Sequence, residues 1–409
     1  MSTICKEPPT IGPGQPWFIR IRGWVFAIFL FLSSFLGAVY IITPMIPLLF
    51  WNPVLWRKFM DRLVGIWCIM PGALLTYIFG ANISIGGDMI EHHEPGLIIM
   101  NHRTRLDWLY FWRALYRMNP WLCVSEKIAL KGILKYVPGA GWAMGANSYI
   151  FLDRSYESDA ARLDTMLDYY ANCGLNYQLL LFPEGTDKCP KATERSRIYA
   201  EKKGIPHYSY VLHPRTTGFV HIVQRMRKDN NIKYLYDVTI GFGDCIVQRD
   251  VDIVAYGVCS REVHYQVVKY NINDLPKSDD GLATWLINLW KEKEIKLDEF
   301  YSKTGIERKF DCGTKTYKDT PEATQVEIMI LGFWLFTTAF WLLALFQVQF
   351  MLYFCVLTCI MYGLIQYFYG GIEWLTIQKF NEHKIASTVP VPLSPVNGRM
   401  LPTASSDSE

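Results

Sequence analysis

The sequence predicts an α/β domain with a mostly parallel sheet flanked by helices, held in a membrane by transmembrane helices near both ends of the chain. Three observations predict it. Residues 23–56, 63–87 and 328–372 contain no Asp, Glu, Lys, Arg or His, and a spanning helix needs about 20 apolar residues. Between these segments, short apolar runs that end in polar turns alternate with helical stretches, the pattern of buried parallel strands joined by crossover helices. The 409-residue chain is also 15% aromatic and only 19% charged, which is lean for a protein that lives in water.

The elements follow in order. Residues 1–22 are expected to form an N-terminal tail and residues 23–87 a membrane anchor. Trp24 to Ile42 is uncharged up to Pro44 and Pro47, so it reads as one spanning helix. A cleaved signal would have a shorter apolar core and a small-residue cleavage site. Leu63 to Gly80 is interrupted by Pro71 and Gly72, and either spans with a kink or re-enters. Trp51 and Trp56, beside Arg57, Lys58 and Arg62, suit a membrane interface.

Residues 88–305 are expected to be the globular domain. Its strands are read at "LIIM" before Asn101, "SYIFL" before Asp153, "QLLLF" before Pro183 and "YSYVL" before His213, with a helix over Asp159–Tyr170. "YDVTIGF" and "VHYQVVKY" alternate more and read as further, antiparallel strands. Leu282, Trp285, Leu286, Leu289, Leu297 and Phe300 set an apolar stripe on a charged helix that packs on the domain. A linker over 306–327 leads to a hairpin of two spanning helices over 328–372, with Gln347 and Gln349 at its tip. Residues 373–409 read as a tail, Pro- and Ser-rich and disordered from about residue 386. Arg308, Lys309, Lys315 and Lys318 precede the hairpin, and Lys379 and Lys384 follow it. The positive-inside rule therefore places both flanks and the attached domain in the cytosol.

A formal charge of +3 gives no reason to expect nucleic acid as a partner. The ten cysteines are irregularly spaced without a CxxC pair, so neither a zinc site nor a disulfide framework is expected. Glu91, His92, His93 and Glu94 are adjacent on a loop, where neighbours rarely converge on one ion. No metal is expected.

The chemistry concentrates in two turns. In "IIMNHRTRLDW", residues 98–108, Asn101, His102, Arg103, Arg105 and Asp107 crowd into seven positions just past an apolar run. That is the carboxyl end of a strand, where open α/β sheets place their ligand sites. His102 and Asp107 are five apart and cannot pair if both are helical. They can pair if a helix starts between them, with Thr104 as its N-cap. The carboxylate would then fix the imidazole's tautomer and leave its other nitrogen free as a base. Thr104 to Asp107 is equally a capping-box pattern, with Asp107 reaching back to hold the helix end. The second turn, "FPEGTD", follows another apolar run, and Gly185 lets backbone N–H groups come close to an anion.

His102 with Asp107, followed about eighty residues later by "FPEGT", resembles the glycerolipid acyltransferase family that includes the 1-acylglycerol-3-phosphate acyltransferases. "NHRTRLDW", "PGAGWAM", "FPEGTD", "AEKKG" and "VLHPRTTGF" look most like its lysocardiolipin acyltransferase branch, over about residues 97–220. The resemblance implies that His102 takes the proton from a lysophospholipid hydroxyl while Asp107 orients it. The hydroxyl attacks the thioester of acyl-CoA directly, so acyl-CoA is a co-substrate and no cofactor is needed. It also implies that Arg154, in "FLDR", and Glu184, Gly185 and Thr186 hold the acceptor, in the endoplasmic reticulum membrane. Pro214 falls near the family's fourth motif, with the usual Val-Pro step displaced. Many members carry a basic residue after the Gly-Thr pair, where this chain has Asp187. The acceptor's phosphate must then rest on Arg154, Lys188, Arg195 or Arg197. Two rivals share these residues: a transacylase that needs no CoA, and a lipid-binding membrane protein without turnover.

Overall fold

The structure, a computed structural model, describes residues 6–12, 14–153, 156–312 and 315–388. Helix α1 (Trp17–Gly37) runs on through a π turn and a 3-10 turn into α2 (Ile46–Trp51), and α3 (Pro53–Phe79) follows. The domain then reads β1 (Asn82–Gly87), β2 (Gly96–Met100), α4 (Asp107–Met118), α5 (Leu122–Ser125), β3 (Glu126–Lys131), α6 (Ala140–Ala146), β4 (Ile150–Leu152), α7 (Tyr156–Asn172) and β5 (Gln178–Leu181). It continues through α8 (Pro190–Lys203), α9 (Thr216–Lys228), β6 (Tyr234–Phe242), α10 (Asp250–Tyr256), β7 (Glu262–Asn271), α11 (Asp279–Ser302) and β8 (Thr316–Tyr317). Helices α12 (Pro321–Gln347), α13 (Gln349–Tyr369) and α14 (Ile372–Thr388) close the described chain.

The eight strands form one sheet in the order β4-β3-β5-β2-β6-β7-β1-β8. The first five run parallel, β7 lies antiparallel on β6, and β1 runs parallel to β7. Every residue of the central β2, "GLIIM", is buried, as a continuous apolar strand requires when helices cover both faces. Helix α11 lies on one face through the expected stripe, with Leu282, Leu286, Leu289, Leu297 and Phe300 all buried. Lys293 on the same helix reaches the sheet and donates to Asp237 Oδ1 at 2.6 Å.

Several expectations need correction. "YSYVL" is not a strand. The Glu294 carboxylate accepts from the N–H groups of Ser209, Tyr210 and Val211, and Glu184 accepts from that of Leu212, so side chains meet donors that a ladder would otherwise need. Strand β1 belongs to the sheet although it lies inside the expected anchor, and β3 was not anticipated. Helix α3 is unbroken through Pro71. Gly72 marks a close approach and not a break: a Cβ there would lie 3.1 Å from Arg113 Cβ on α4.

The ends are also more engaged than expected. Helix α1 starts at Trp17, seven residues before Trp24, and the segment ahead of it is tied to the domain by Ile11 N–H to Ile246 O and Ile246 N–H to Pro9 O, each 3.0 Å. Residues 321–327 belong to α12 and not to a linker. Residues 372–388 form α14, whose Ile377 and Phe380 join the domain core. The expected disorder beyond falls on residues 389–409, which lie outside the described residues. Among the described residues, four apolar helical segments are long enough to cross a membrane: 17–51, 53–79, 321–347 and 349–369.

Candidate active site

The sheet brings the two polar turns together. Strands β2 and β5 are parallel neighbours with Ile99 paired to Leu181, so the residues after them leave the same edge side by side. Asn101 fixes the first exit: its side chain accepts from Ile240 N–H at 2.9 Å and donates to Ile240 O at 3.2 Å, bonding to β6 as a strand residue would.

His102 follows, and its Nδ1 lies 3.0 Å from Asp107 Oδ2. The imidazole is 17% exposed while the carboxylate is fully buried, so the ring presents its far nitrogen outward and keeps its partner dry. Phe182 stacks on the ring at 4.1 Å. Helix α4 begins at Asp107 with Leu106, and not the expected Thr104, as its N-cap residue, and Thr104 donates to the same carboxylate from its N–H (3.0 and 3.1 Å) and from Oγ1 (2.7 Å). The Thr104 contacts and the histidine contact therefore coexist on one carboxylate. Asp107 Oδ2 serves the histidine and the Thr104 N–H, and Oδ1 serves Thr104 twice. Tyr265 donates from behind to the Asp107 carbonyl at 3.3 Å.

The remaining cations of the stretch brace the turn. Arg103 is buried and forks onto Glu7 from Nε and Nη2 at 2.7 and 2.9 Å, with Nη1 on Gln248 Oε1 at 2.6 Å. Arg105 is half-exposed and faces Asp187 at 3.7 Å and Asp250 at 3.9 Å. Glu7, Gln248 and Trp290 were not singled out from the sequence. Each arrives from a distant segment, and only Trp290 had a local signal, lying one helical turn beyond Leu286.

In the second turn Glu184 points inward. Its carboxylate accepts from His102 N–H at 3.3 Å, Trp290 Nε1–H at 3.1 Å and Leu212 N–H at 3.2 Å. Burial pushes its carboxyl up to about 8, against those three donors. Where the resemblance implied an acceptor contact, this geometry gives Glu184 a positioning place that ties the turn to His102. Gly185 takes φ +72° and its N–H closes the turn on Phe182 O at 2.9 Å, a conformation that suits glycine. Thr186 Oγ1 donates to Asp187 at 3.5 Å, and Asp187 accepts from Gln248 Nε2 at 3.1 Å. The Lys188 N–H joins the two turns at His102 O, 2.8 Å.

Arg154 lies outside the described residues. Lys188 is nearly buried with its Nζ 3.5 Å from Glu7, and Arg197 is held on α8 by Glu194 and Glu201, so neither is free to meet a phosphate. Arg195 is exposed on the same helix. His213 bonds Ser196 at 2.8 Å and Pro206 O at 3.1 Å, as a turn histidine does. Glu91 and Glu94 pair with Lys269 and Lys233, and His92 and His93 stack on each other. Among the described residues no three His, Cys, Asp or Glu side chains gather as metal ligands would.

Residues 82–243 match the family model described as acyltransferase, and residues 254–334 match that described as acyltransferase C-terminus. The chain is 40% identical to lysophosphatidylinositol acyltransferase 10 of Caenorhabditis elegans, over 90% of this chain and 96% of that one. It is 37% identical to lysocardiolipin acyltransferase 1 of Mus musculus, over 87% and 89%. A probable 1-acyl-sn-glycerol-3-phosphate acyltransferase 5 of Arabidopsis thaliana is 32% identical, over 64% and 69%. With nearly its whole length shared with such relatives, and with both family models matched in order, the chain belongs to the glycerolipid acyltransferase family and resembles its lysocardiolipin and lysophosphatidylinositol members.

Proposed function

We propose that this acyltransferase moves a fatty acyl group from acyl-CoA to a free hydroxyl of a lysophospholipid, with His102 as general base and Asp107 as its orienting partner. The observation that carries the proposal is the 3.0 Å contact between the part-exposed His102 ring and the fully buried Asp107 carboxylate. With Nδ1–H given to Asp107, Nε2 takes the proton of the acceptor hydroxyl as its oxygen attacks the thioester carbonyl. The tetrahedral intermediate then expels the CoA thiolate, breaking the C–S bond, and the proton on Nε2 passes to sulfur. Charge develops on the carbonyl oxygen during attack. Gly185 and Thr186, with Arg154, hold the acceptor, and Glu184 holds the turn that carries them.

The names of the relatives favour a lysophospholipid acceptor, of the lysophosphatidylinositol, lysocardiolipin or lysophosphatidic acid class. The four apolar segments anchor the chain in the endoplasmic reticulum membrane. The cations that flank α12 and α13 put the domain on the cytosolic side. The test is release of free thiol from acyl-CoA by membranes carrying the chain, measured with and without lysophospholipid. Thiol release that depends on the acceptor is expected. Acyl transfer between phospholipids with no thiol released would replace acyl-CoA with a transacylase reaction, and no transfer at all would remove the enzyme reading.

A further inference from the structure

The family's usual basic residue after Gly-Thr is missing from this chain, and the position it would fill is taken by Asp187, nine-tenths buried on Gln248 and Arg105. The second turn still has a cation beside it. Arg215, which directly precedes α9, lays its side chain against Gly185: a Cβ on that glycine would lie 3.3 Å from Arg215 Cδ and 3.4 Å from Nε. Its backbone N–H is fixed on Pro183 O at 2.8 Å, so its place beside the turn is set by the turn itself. The guanidinium is exposed and, among the described residues, has no hydrogen-bond or ion-pair partner.

Its neighbours differ on this point. Arg103 forks onto Glu7, Arg105 faces two carboxylates, Lys188 sits at Glu7 and Arg197 is clasped by Glu194 and Glu201. An unpaired planar guanidinium next to a glycine that lets backbone come close is suited to fork onto the oxygens of a phosphate. We propose that Arg215 binds the phosphate of the lysophospholipid acceptor and supplies from α9 the cation that the turn itself lacks at Asp187. The inference rests on the acceptor side of the proposed function and extends it to Arg215, a residue of "VLHPRTTGF" to which the resemblance gave no role. Gly185 leaves room for this approach, since a Cβ there would crowd the Arg215 side chain.

Two measurements on the full-length chain in nanodiscs test it. Binding of glycerol 3-phosphate, a soluble counterpart of the acceptor's phosphate end, is read by ligand-observed NMR for the unchanged protein, Arg215→Ala and Arg215→Lys. Turnover is read with a lysophospholipid and with the monoacylglycerol of the same chain, which has no phosphate. Removing one charge-assisted fork is expected to weaken glycerol 3-phosphate binding, and to raise the lysophospholipid KM, by about 10- to 100-fold. The KM for acyl-CoA and the rate with monoacylglycerol should move less than twofold. Arg215→Lys should recover part of the loss. Equal glycerol 3-phosphate binding by the unchanged protein and Arg215→Ala overturns the proposal, as does an equal rise in both KM values, which would put Arg215 on the CoA side. If the unchanged protein shows arginine-dependent phosphate binding but no acyl transfer, the phosphate site stands and the proposed function fails.

Discussion

The turns after β2 and β5 leave adjacent parallel strands and are bonded to each other, yet they treat their acids in opposite ways. In the first, Asp107 is buried and its partner His102 comes to the surface. In the second, Glu184 is buried on three N–H donors and only the glycine beside it is exposed. A buried carboxylate bonded to a titratable ring can act through that ring. One bonded to backbone and indole N–H groups can only hold them in place. The two turns thus differ in form: the first pairs its acid with a ring that reaches the surface, and the second ties its acid to donors from His102, Leu212 and Trp290.

The largest expected effect tests the first half of this contrast. His102→Ala should lower acyl transfer by about 10²- to 10⁴-fold while the protein stays folded in the membrane, checked by thermal unfolding. Near-normal turnover would end the assignment of His102 as the base. Asp107→Asn comes next. Its amide would offer an N–H to His102 Nδ1 and drive the ring's proton to Nε2, where a base cannot use it, so turnover should fall about 10²-fold or more. Full activity with only a lower melting temperature would reduce Asp107 to a cap.

The third prediction concerns the second turn. The Glu184 carboxyl is raised to about 8 in the fold from an unfolded value near 4.5. Between those values the native state keeps a proton that the unfolded chain has released, so stability falls as pH rises from about 4.5 to about 8. Glu184→Gln removes that titration. The unchanged protein should therefore lose melting temperature relative to Glu184→Gln between pH 5 and pH 8, and parallel curves would show that the carboxyl does not titrate there. The smallest effect separates the cap from the base. Thr104→Ala should cost about 0.5–2 kcal/mol of stability and retain most turnover, since His102 keeps its contact with Asp107.

Local spacing explains what the sequence revealed and what it hid. His102 and Asp107 could be paired on paper because only four residues and one helix start separate them. "FPEGT" was visible because it follows an apolar run. Glu7 and Gln248 reach the site from far along the chain, and no periodicity announces them. The strands hid for different reasons. Asn82–Gly87 lies at the end of a charge-free stretch that reads as membrane. Glu126–Lys131 carries an acid and a base that look like a solvated face, although Lys127 is buried against Asp61 of α3 at 2.7 Å. "YSYVL" misled in the other direction, because two distant glutamates meet the donors of Ser209 to Leu212.

The pairing of β1 with β7 carries a consequence for how the chain is made. Asn82 to Gly87 leaves the ribosome first, directly behind α3, and its parallel partner begins only at Glu262. At about 5–20 residues per second, synthesis of the intervening chain takes on the order of ten to thirty-five seconds. Throughout that interval the strand has no β7 to pair with. The sheet therefore cannot be completed from the N-terminus forward, and β1 joins it only once β7 has emerged. Slow synthesis between residues 87 and 262 should raise the yield of misassembled enzyme more than the same delay placed after Asn271.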